Sequence, residues 1–293
     1  MTLSQDPVTY AVPFFVLFIL AEYCLARHRG EAWFETKDSA ASLAMGIGVV
    51  FFNLFVKAVT LGFYSFFYQF RLFDIEWAWW SWLLLLFADD FTFYWHHRLS
   101  HEVRILWAAH VNHHSSQKYN FTTALRQSWT EEFYKFLWWF WLPLLGFHPV
   151  MVMMMQSISL IYQFLMHTHS VQQLGFLEYF MSTPSHHRVH HGSNIAYLDR
   201  NHAGIFIIWD KIFGTFEPEN PKNPVVYGLT NNIHTYNPFH IATHEFVALW
   251  HDMKDAPTYK DALLYAIMPP GWKPNGEGMT AKDLQNLQKM NKE

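Results

Sequence analysis

Three clusters of histidine residues are the part of this sequence whose residue types and spacing could carry out chemistry. The first has the spacing H-x3-H, and the second and third both have the spacing H-x2-H-H. Neutral imidazole is a common ligand of iron, copper and zinc. The clusters consist of His97, His101, His110, His113, His114, His187, His190 and His191. Because these imidazoles are numerous enough to hold two metal ions and leave positions open for oxygen, they predict a two-metal site.

The spacing within each cluster predicts that its histidines lie on one face of a helix. His97 and His101 are four residues apart, and residues three or four apart on a helix are neighbours. The second and third clusters have i, i+3, i+4 spacing, so each can present three imidazoles together. Helices also fix side chains rigidly enough to hold several rings against a metal. His167, which follows an apolar segment, could supply a ninth ligand, and so could His169.

Other histidines show that spacing alone overpredicts ligands in a chain with 19 histidines. His96 and His186 adjoin cluster members, but adjacent positions on a helix point in different directions. His240 and His244 are another spaced pair, for which we expect a structural or supporting role. The spacing assigns no function to any of these four, or to His169.

The clusters lack the carboxylate patterns of two familiar classes of metal enzyme. Soluble di-iron bundles combine glutamates with Glu-x-x-His pairs, which are absent from the clusters. Zinc proteases carry H-E-x-x-H on a helix, and His101-Glu102 is not followed by a second histidine at that spacing. The sequence therefore disfavours zinc-dependent hydrolysis.

The elements that must position the clusters are apolar. Aromatic residues make up 19% of the chain and charged residues only 15%, against about 25% charged in a typical soluble domain. The apolar stretches are 8–26, 41–70, 77–96 and 138–166. We therefore expect an all-α integral membrane protein with about four membrane-embedded helical segments, the first of them retained rather than cleaved as a signal peptide. Pro143 and Pro149 divide the last stretch into two short halves, which predicts a helical hairpin that dips into the membrane and returns.

Charge predicts the orientation of these segments. Residues 1–9 carry no Lys or Arg, whereas 27–40 carry three, which favours a cytoplasmic position for 27–40. All three clusters then lie on the cytoplasmic face, in a helical cap made of 97–137 and 167–293. The membrane would be a bacterial inner membrane or the endoplasmic reticulum. The net charge of −4 argues against nucleic acid as a partner.

Four charged residues near the clusters are candidates to support the metals or the substrate. Asp90 lies two helical turns before His97, so it could accept a hydrogen bond from a ligand imidazole, or it could be an interfacial carboxylate that faces water. The arginines Arg98, Arg126 and Arg188 could position a phosphate or glycerol headgroup, or could pair with groups around the ligands. The sequence favours neither alternative.

The clusters and their flanking strings resemble the fatty acid hydroxylase and sterol desaturase superfamily of integral membrane di-iron enzymes. The superfamily motifs include YWHHR at 94–98 and TPSHHRVHHG at 183–192. Flanking strings such as TALRQS at 123–128, IWDKIFGTF at 208–216 and VYGLT at 226–230 are similar to those of the alkylglycerol monooxygenases within it. The likeness covers roughly 85–275, so we expect residues 1–293 to form a single domain of fatty acid hydroxylase type.

The resemblance implies an O2-dependent oxidoreductase in which two histidine-bound irons hydroxylate a C–H bond of a lipid. In the alkylglycerol monooxygenases the attacked carbon is next to an ether oxygen, and the reductant is tetrahydrobiopterin. Glu102 matches a glutamate that is tied to the pterin, and His167, unlike His169, matches a family histidine. Asn201-His202 departs from the usual Asn-Tyr pair, which puts the pocket near it in question.

Two other functional classes stay open at this point. One is a hydroxylase or desaturase of sterol, fatty acyl or carotenoid chains that takes electrons from a ferredoxin or cytochrome donor protein. The other is a membrane protein that binds metal without catalysis, which the intact clusters disfavour. A hydroxylase or desaturase of this kind would use the same histidine ligands as a monooxygenase that attacks the carbon next to an ether oxygen. Only the substrate and the reductant distinguish these two functions.

Overall fold

The computed structural model of the protein describes residues 6–291, and those residues form helices and loops without a strand. Gly192 and Tyr227 form one isolated antiparallel bridge. The α-helices are α1 Pro7–Arg29, α2 Thr36–Tyr68, α3 Trp79–Glu102, α4 Arg104–His114, α5 Trp141–Leu145, α6 Pro149–Met166, α7 Pro184–His190, α8 Ile208–Phe213, α9 Pro238–Lys254, α10 Tyr259–Ile267 and α11 Ala281–Met290. Short 3-10 helices lie at Thr123–Leu125, Glu131–Phe133, Lys135–Trp139, Gly175–Tyr179 and Ile195–Tyr197. The predicted domain limits at 1–5 and 292–293 lie outside the described residues.

Three of these helices are long and apolar enough to cross a membrane, namely α1, α2 and α6. They contain 23, 33 and 18 residues, and a hydrocarbon core of about 30 Å needs about 20. Local signals set their ends: the Asp6 side chain accepts from the Val8 N–H at the start of α1, and Gly30 ends α1 with a φ of 71°. Their outward side chains are apolar and exposed, as a lipid-facing surface requires; Ile47 of α2 is 71% exposed.

The third predicted segment, 77–96, lies within α3 except for its first two residues. Helix α3 continues past residue 96 to Glu102, so His97 and His101 lie on one helix, as their spacing predicts. Most polar residues in the second half of α3, beginning with Asp89 and Asp90, are buried, and α3 is not among the three candidate spans.

The predicted hairpin over 138–166 was wrong in its second half. We expected two short halves, but α5 has five residues whereas α6 has 18 and is long enough to cross a membrane by itself. Gly146 separates them with a φ of 126°, and a Cβ there would lie 2.0 Å from the Phe73 carbonyl oxygen. A glycine is required at this turn because the conformation and the close approach both exclude a side chain.

Aromatic and aliphatic packing holds the apolar helices together beneath the histidines. One core cluster joins α2, α3, α5 and α6 and includes Tyr64, Leu85 and Trp139. A second joins α1 to α6, where the Phe164 ring stacks on Phe15 with centroids 4.0 Å apart. The packing fixes the end of α6, from which His167 follows directly.

The last three helices cover the histidine-bearing end of the molecule. Helix α4 packs against α3, α9 and α10. Arg104, the first residue of α4, donates to Glu245 at 2.9 Å and to Asp252 at 2.6 Å, both on α9. These ion pairs anchor α4 between the apolar helices and the covering layer.

Candidate metal centre

A sharp turn between α3 and α4 brings the first two histidine clusters together. Val103 alone separates the helices, and its extended backbone (φ −121°, ψ 116°) reverses the chain. His97 near the end of α3 then faces His110 on α4, with 3.1 Å between their Nε2 atoms. The two imidazoles approach each other from different helices.

The third cluster lies on the short helix α7 and at its C-cap. Pro184 is its first residue, where its fixed φ favours a helix start. His187 and His190 lie on α7, and His191 follows as its C-cap. The Nε2 atom of His187 lies 3.0 Å from that of His167, the residue that ends α6.

All nine histidines predicted as metal ligands fall into two buried groups, and each group has its possible ligand atoms within 4.8 Å of one another. Group one consists of His97, His101, His110, His114 and His190. Group two consists of His113, His167, His187 and His191. The groups adjoin, since the rings of His114 and His191 are stacked with centroids 4.5 Å apart. Both α4 and α7 contribute to each group, so the arrangement has two neighbouring centres.

Hydrogen bonds at the far side of the rings define which nitrogens face inward. His97 Nδ1 lies 2.7 Å from the His202 carbonyl oxygen, His167 Nδ1 2.8 Å from that of Gln163, and His190 Nδ1 2.9 Å from that of Arg200. A carbonyl oxygen only accepts, so each Nδ1 carries the proton and each Nε2 presents a lone pair. Lone pairs that converge on one point repel one another unless a cation lies between them, and these residues therefore fit metal ions.

Burial keeps His113, His167 and His190 neutral near pH 7, which is the form that binds a metal. Burial lowers the pKa of His167 to about 4. It also lowers the pKa of His190 to about 3. The pKa of His113 falls well below its usual range because of burial, with repulsion from His167 as a further cause.

Two carboxylates that the sequence analysis did not single out contact ligand histidines. Glu131 Oε2 lies 3.4 Å from His110 Nδ1. Burial acts to raise the pKa of Glu131, but the hydrogen bond from His110 and the charge of Lys135 outweigh it, and the pKa is lowered. Asp199 Oδ1 lies 3.3 Å from His101 Nδ1, and burial raises the pKa of Asp199 to about 7. Carboxylates in these positions orient ligand imidazoles and fix their tautomers.

Asp90 fits neither of the two alternatives predicted for it. Its carboxylate accepts from the backbone N–H groups of Ile205 and Phe206 at 2.7 and 2.8 Å rather than from a ligand imidazole. It also accepts from Trp209 Nε1 at 3.0 Å. The imidazole of His97 bonds instead to a carbonyl in the loop that Asp90 anchors. The buried carboxylate therefore acts on group one through the loop and not by direct contact, and it does not face water.

The three arginines all form ion pairs. Arg126 is 1% exposed and lies 2.6 Å from an Asp38 carboxylate oxygen. Arg188 is 2% exposed and lies 2.7 Å from Glu219. Of the two alternatives, pairing describes these buried side chains better than headgroup binding does. Arg98 is 22% exposed and donates to Glu102 at 2.8 Å.

The remaining singled-out histidines are separate from both groups. His186 lies 3.9 Å from the Glu178 carboxylate, and His96 lies 3.5 Å from Glu131. The His169 ring stacks on Trp33. His240, which is exposed, and His244, which is half-buried and lines the cavity described below, lie on α9 with ring centroids 6.3 Å apart.

A cavity of about 560 Å³ opens beside group one and extends beneath the covering helices. Its lining includes the rings of His101, His114 and His190 together with Trp107, Asp199 and Trp272. Its lining combines apolar and polar side chains, which suits an amphiphilic molecule. Glu102 is not among the lining residues.

Comparisons with known proteins agree with the geometry. Residues 82–215 match the family model of fatty acid hydroxylase. The chain is 40% identical over 279 residues to alkylglycerol monooxygenase of Homo sapiens, covering 93% of this chain and 62% of that protein. It is 36% identical over 278 residues to alkylglycerol monooxygenase of Caenorhabditis elegans, covering 88% and 54%. It is 31% identical over 143 residues to ornithine lipid hydroxylase OlsE of Rhizobium tropici, covering 48% and 43%.

These matches confirm the resemblance that the histidine motifs indicate. The chain spans about three-fifths of the length of the first two curated relatives that it matches. No solved structure matches it.

Proposed function

We propose that this chain, whose residues 82–215 match the family model of fatty acid hydroxylase, is a membrane-bound di-iron monooxygenase that hydroxylates a C–H bond of a lipid. The observation that carries the proposal is the convergence of nine buried imidazoles on two adjoining points. When bound there, two irons would supply the redox chemistry with O2 that an unactivated C–H bond requires. Imidazole ligands suit iron, although they also accept zinc and copper.

The chain's own residues would hold the metals and exclude water from them. The nine histidines are the ligands, and the carboxylates Glu131 and Asp199 orient His110 and His101. Asp90 anchors the loop whose carbonyl at His202 fixes the ring of His97. Every proposed ligand is at most 7% exposed, so bulk water does not fill the positions around the metals.

The substrate class we propose is an alkylglycerol, attacked at the carbon next to the ether oxygen. The matched relatives named as alkylglycerol monooxygenases support this choice, since they are similar to this chain over nearly its whole length. The cavity beside group one would take the reacting part of the lipid, with Trp107 against its apolar portion. Nothing in the comparisons favours the alternative of a sterol, fatty acyl or carotenoid substrate with a ferredoxin or cytochrome donor.

Tetrahydrobiopterin as the reductant is a further part of the proposal. It rests on the resemblance of Glu102 to a family glutamate, and the Glu102 carboxylate lies on the outside of α3 beside Arg98. A pterin at Glu102 would therefore lie at the edge of the site, outside the cavity that holds the lipid.

For the membrane arrangement, we propose the orientation that the distribution of Lys and Arg predicts. Four segments would embed in the membrane, namely α1, α2, α3 and the stretch from α5 through α6. The active site would face the cytoplasm, because Arg27, Arg29 and Lys37 flank the loop at the same end of α1 and α2. Residues 1–293 would act as one domain.

The experiment is turnover by the purified full chain in detergent after anaerobic loading with iron. An alkylglycerol is offered with tetrahydropterin and O2, and aldehyde release is measured. We expect aldehyde release by the wild type and none by His187→Ala. The control is His186→Ala, because the His186 ring pairs with Glu178. This variant should release aldehyde as the wild type does. A protein that binds two irons but releases no aldehyde would contradict the alkylglycerol substrate and leave the di-iron oxygenase proposal in place. A protein that binds no metal would contradict the whole proposal.

A further inference from the structure

His202 is a buried residue beside group one whose ring nitrogens make no hydrogen bond of normal geometry. Its side chain is 0% exposed, and the Asp199 backbone is the hydrogen-bonding group near its ring. Two members of group one share this property, since the Nε2 atoms of His101 and His190 are also buried and unpaired. A buried polar atom without a partner is unfavourable and rare, so three together at one place indicate a missing common partner.

These three unpaired imidazoles are neighbours. The centroid of the His202 ring lies 5.0 Å from that of His101 and 5.7 Å from that of His190. The His202 centroid also lies 5.7 Å from the ring centroid of His97. One cation between the rings would satisfy nitrogens on all of them, which a hydrogen bond between any two would not.

The backbone holds His202 firmly in this place. Its N–H donates to Asp210 Oδ1 at 2.8 Å, and the next N–H, of Ala203, donates to Asp210 Oδ2 at 2.8 Å. Asn201 has a φ of 57°, and its side-chain amide donates to the carbonyl oxygens of His186 and Glu217. Such a conformation suits asparagine and is fixed by these bonds from both sides.

The carbonyl of His202 already serves group one, since it accepts from His97 Nδ1 at 2.7 Å. The loop therefore orients one ligand through its backbone and brings a second imidazole to the same group through its side chain. We propose that His202 is a further metal ligand of group one, in addition to the five histidines that cluster spacing and atom proximity identify. This inference rests on the proposed function, because it requires that group one binds a metal.

The test compares His202→Phe, which keeps a ring but removes both nitrogens, with His186→Phe as the matched control. His186 is also buried beside the clusters, and Glu178 would keep its bonds to Thr183 and Ser185 without it. Each purified full-length protein is loaded with 57Fe, and iron per chain is followed by mass spectrometry during challenge with a chelator. Mössbauer spectra report the two irons separately.

We expect His202→Phe to release one of its two irons at least about tenfold faster than the control does. We also expect the spectrum of one iron to change while the other is unaltered. Release and spectra equal to those of His186→Phe would overturn the inference and leave the two-metal proposal standing. A wild type that binds no metal would overturn both.

A measurement without any variant covers the case in which His202→Phe fails to fold. Electron cryomicroscopy of the zinc-loaded wild type would locate the ions directly. A ring nitrogen of His202 at about 2.1 Å from an ion, the usual Zn–N distance, supports the inference. A His202 ring beyond ligand distance from both ions contradicts it.

Discussion

The Nε2 atoms of His113 and His167 lie 3.0 Å apart, and both rings turn their Nδ1 atoms towards backbone carbonyls. The carbonyl of Arg126 lies 3.3 Å from His113 Nδ1, and that of Gln163 lies 2.8 Å from His167 Nδ1. With the protons on Nδ1, neither Nε2 can donate to the other. The close pair is therefore unfavourable for two neutral imidazoles alone and favourable around a cation.

Replacement of His167 by alanine should remove one metal from group two. The matched variant is His169→Ala, because that histidine lies two residues away and its ring stacks on Trp33 outside both groups. We expect metal content to fall from about two to about one per chain in His167→Ala and to stay unchanged in His169→Ala. Elemental analysis of the purified proteins measures this, and equal metal content in the two variants would exclude His167 as a ligand.

Replacement of Glu131 by glutamine should weaken metal binding at His110 about 10- to 100-fold. The substitution keeps the shape of the side chain but removes the charge that orients the imidazole at 3.4 Å. Glu132→Gln is the control, since the carboxylate of Glu132 belongs to a different cavity with Asn53 and Lys57. Competition with a chelator gives the two affinities, and a Glu131→Gln protein that binds as tightly as the control would refute the orienting role.

Replacement of Asp90 by asparagine should destabilise the loop that carries His202. Asp90 accepts three hydrogen bonds from that region, two from backbone N–H groups and one from Trp209. The asparagine amide lacks the charge of the carboxylate and has one acceptor oxygen fewer. We therefore expect the unfolding free energy to fall by about 1–3 kcal/mol. Thermal unfolding in detergent measures it; a melting temperature equal to that of the wild type would contradict the anchoring role.

Acid should destabilise the metal-free protein. Burial lowers the pKa of His167 to about 4, whereas an unfolded histidine titrates near 6.5. Between these values the unfolded chain binds more protons than the folded one, so stability is complete above about pH 6.5 and falls as the pH falls towards about 4. Each pKa unit by which folding lowers the pKa of His167 corresponds to about 1.4 kcal/mol of unfolding free energy.

Thermal unfolding of the metal-free protein between pH 7.5 and pH 5 tests this sign. The melting temperature should decrease continuously over that range. It should decrease less in His167→Gln, which has no titrating group at that position. A melting temperature that rises towards pH 5 would contradict the buried, neutral state of these rings.

The sequence could predict which histidines of a cluster lie together because their relationship within the cluster is local. Spacing of three and four residues places His110, His113 and His114 on one turn of a helix, and the structure brings them together with the other predicted ligands. Glu131 and Asp199 could not be found in this way, because only the folded chain brings them to His110 and His101. Charge does not distinguish Glu131 in the sequence, because Glu132 and Lys135 are charged in the same aromatic-rich segment.

Other differences have the same physical origin. The contact between Asp90 and the loop at Ile205 joins residues 115 positions apart, and no periodicity within α3 reports it. Composition marks the end of the apolar stretch at residue 96 but not the end of α3, because the hydrogen-bonded helix continues to Glu102. His202 stood out in the sequence only as a departure from a family pair, and its place beside group one required the structure.

The most direct test of the two-metal centre is the number of irons bound by the anaerobically loaded wild type, measured by elemental analysis together with Mössbauer spectroscopy. We predict two irons per chain, with nitrogen-rich coordination at both and loss of one in His167→Ala. A stoichiometry of one or none, with the protein folded, would contradict the assignment of the two histidine groups as a pair of metal sites.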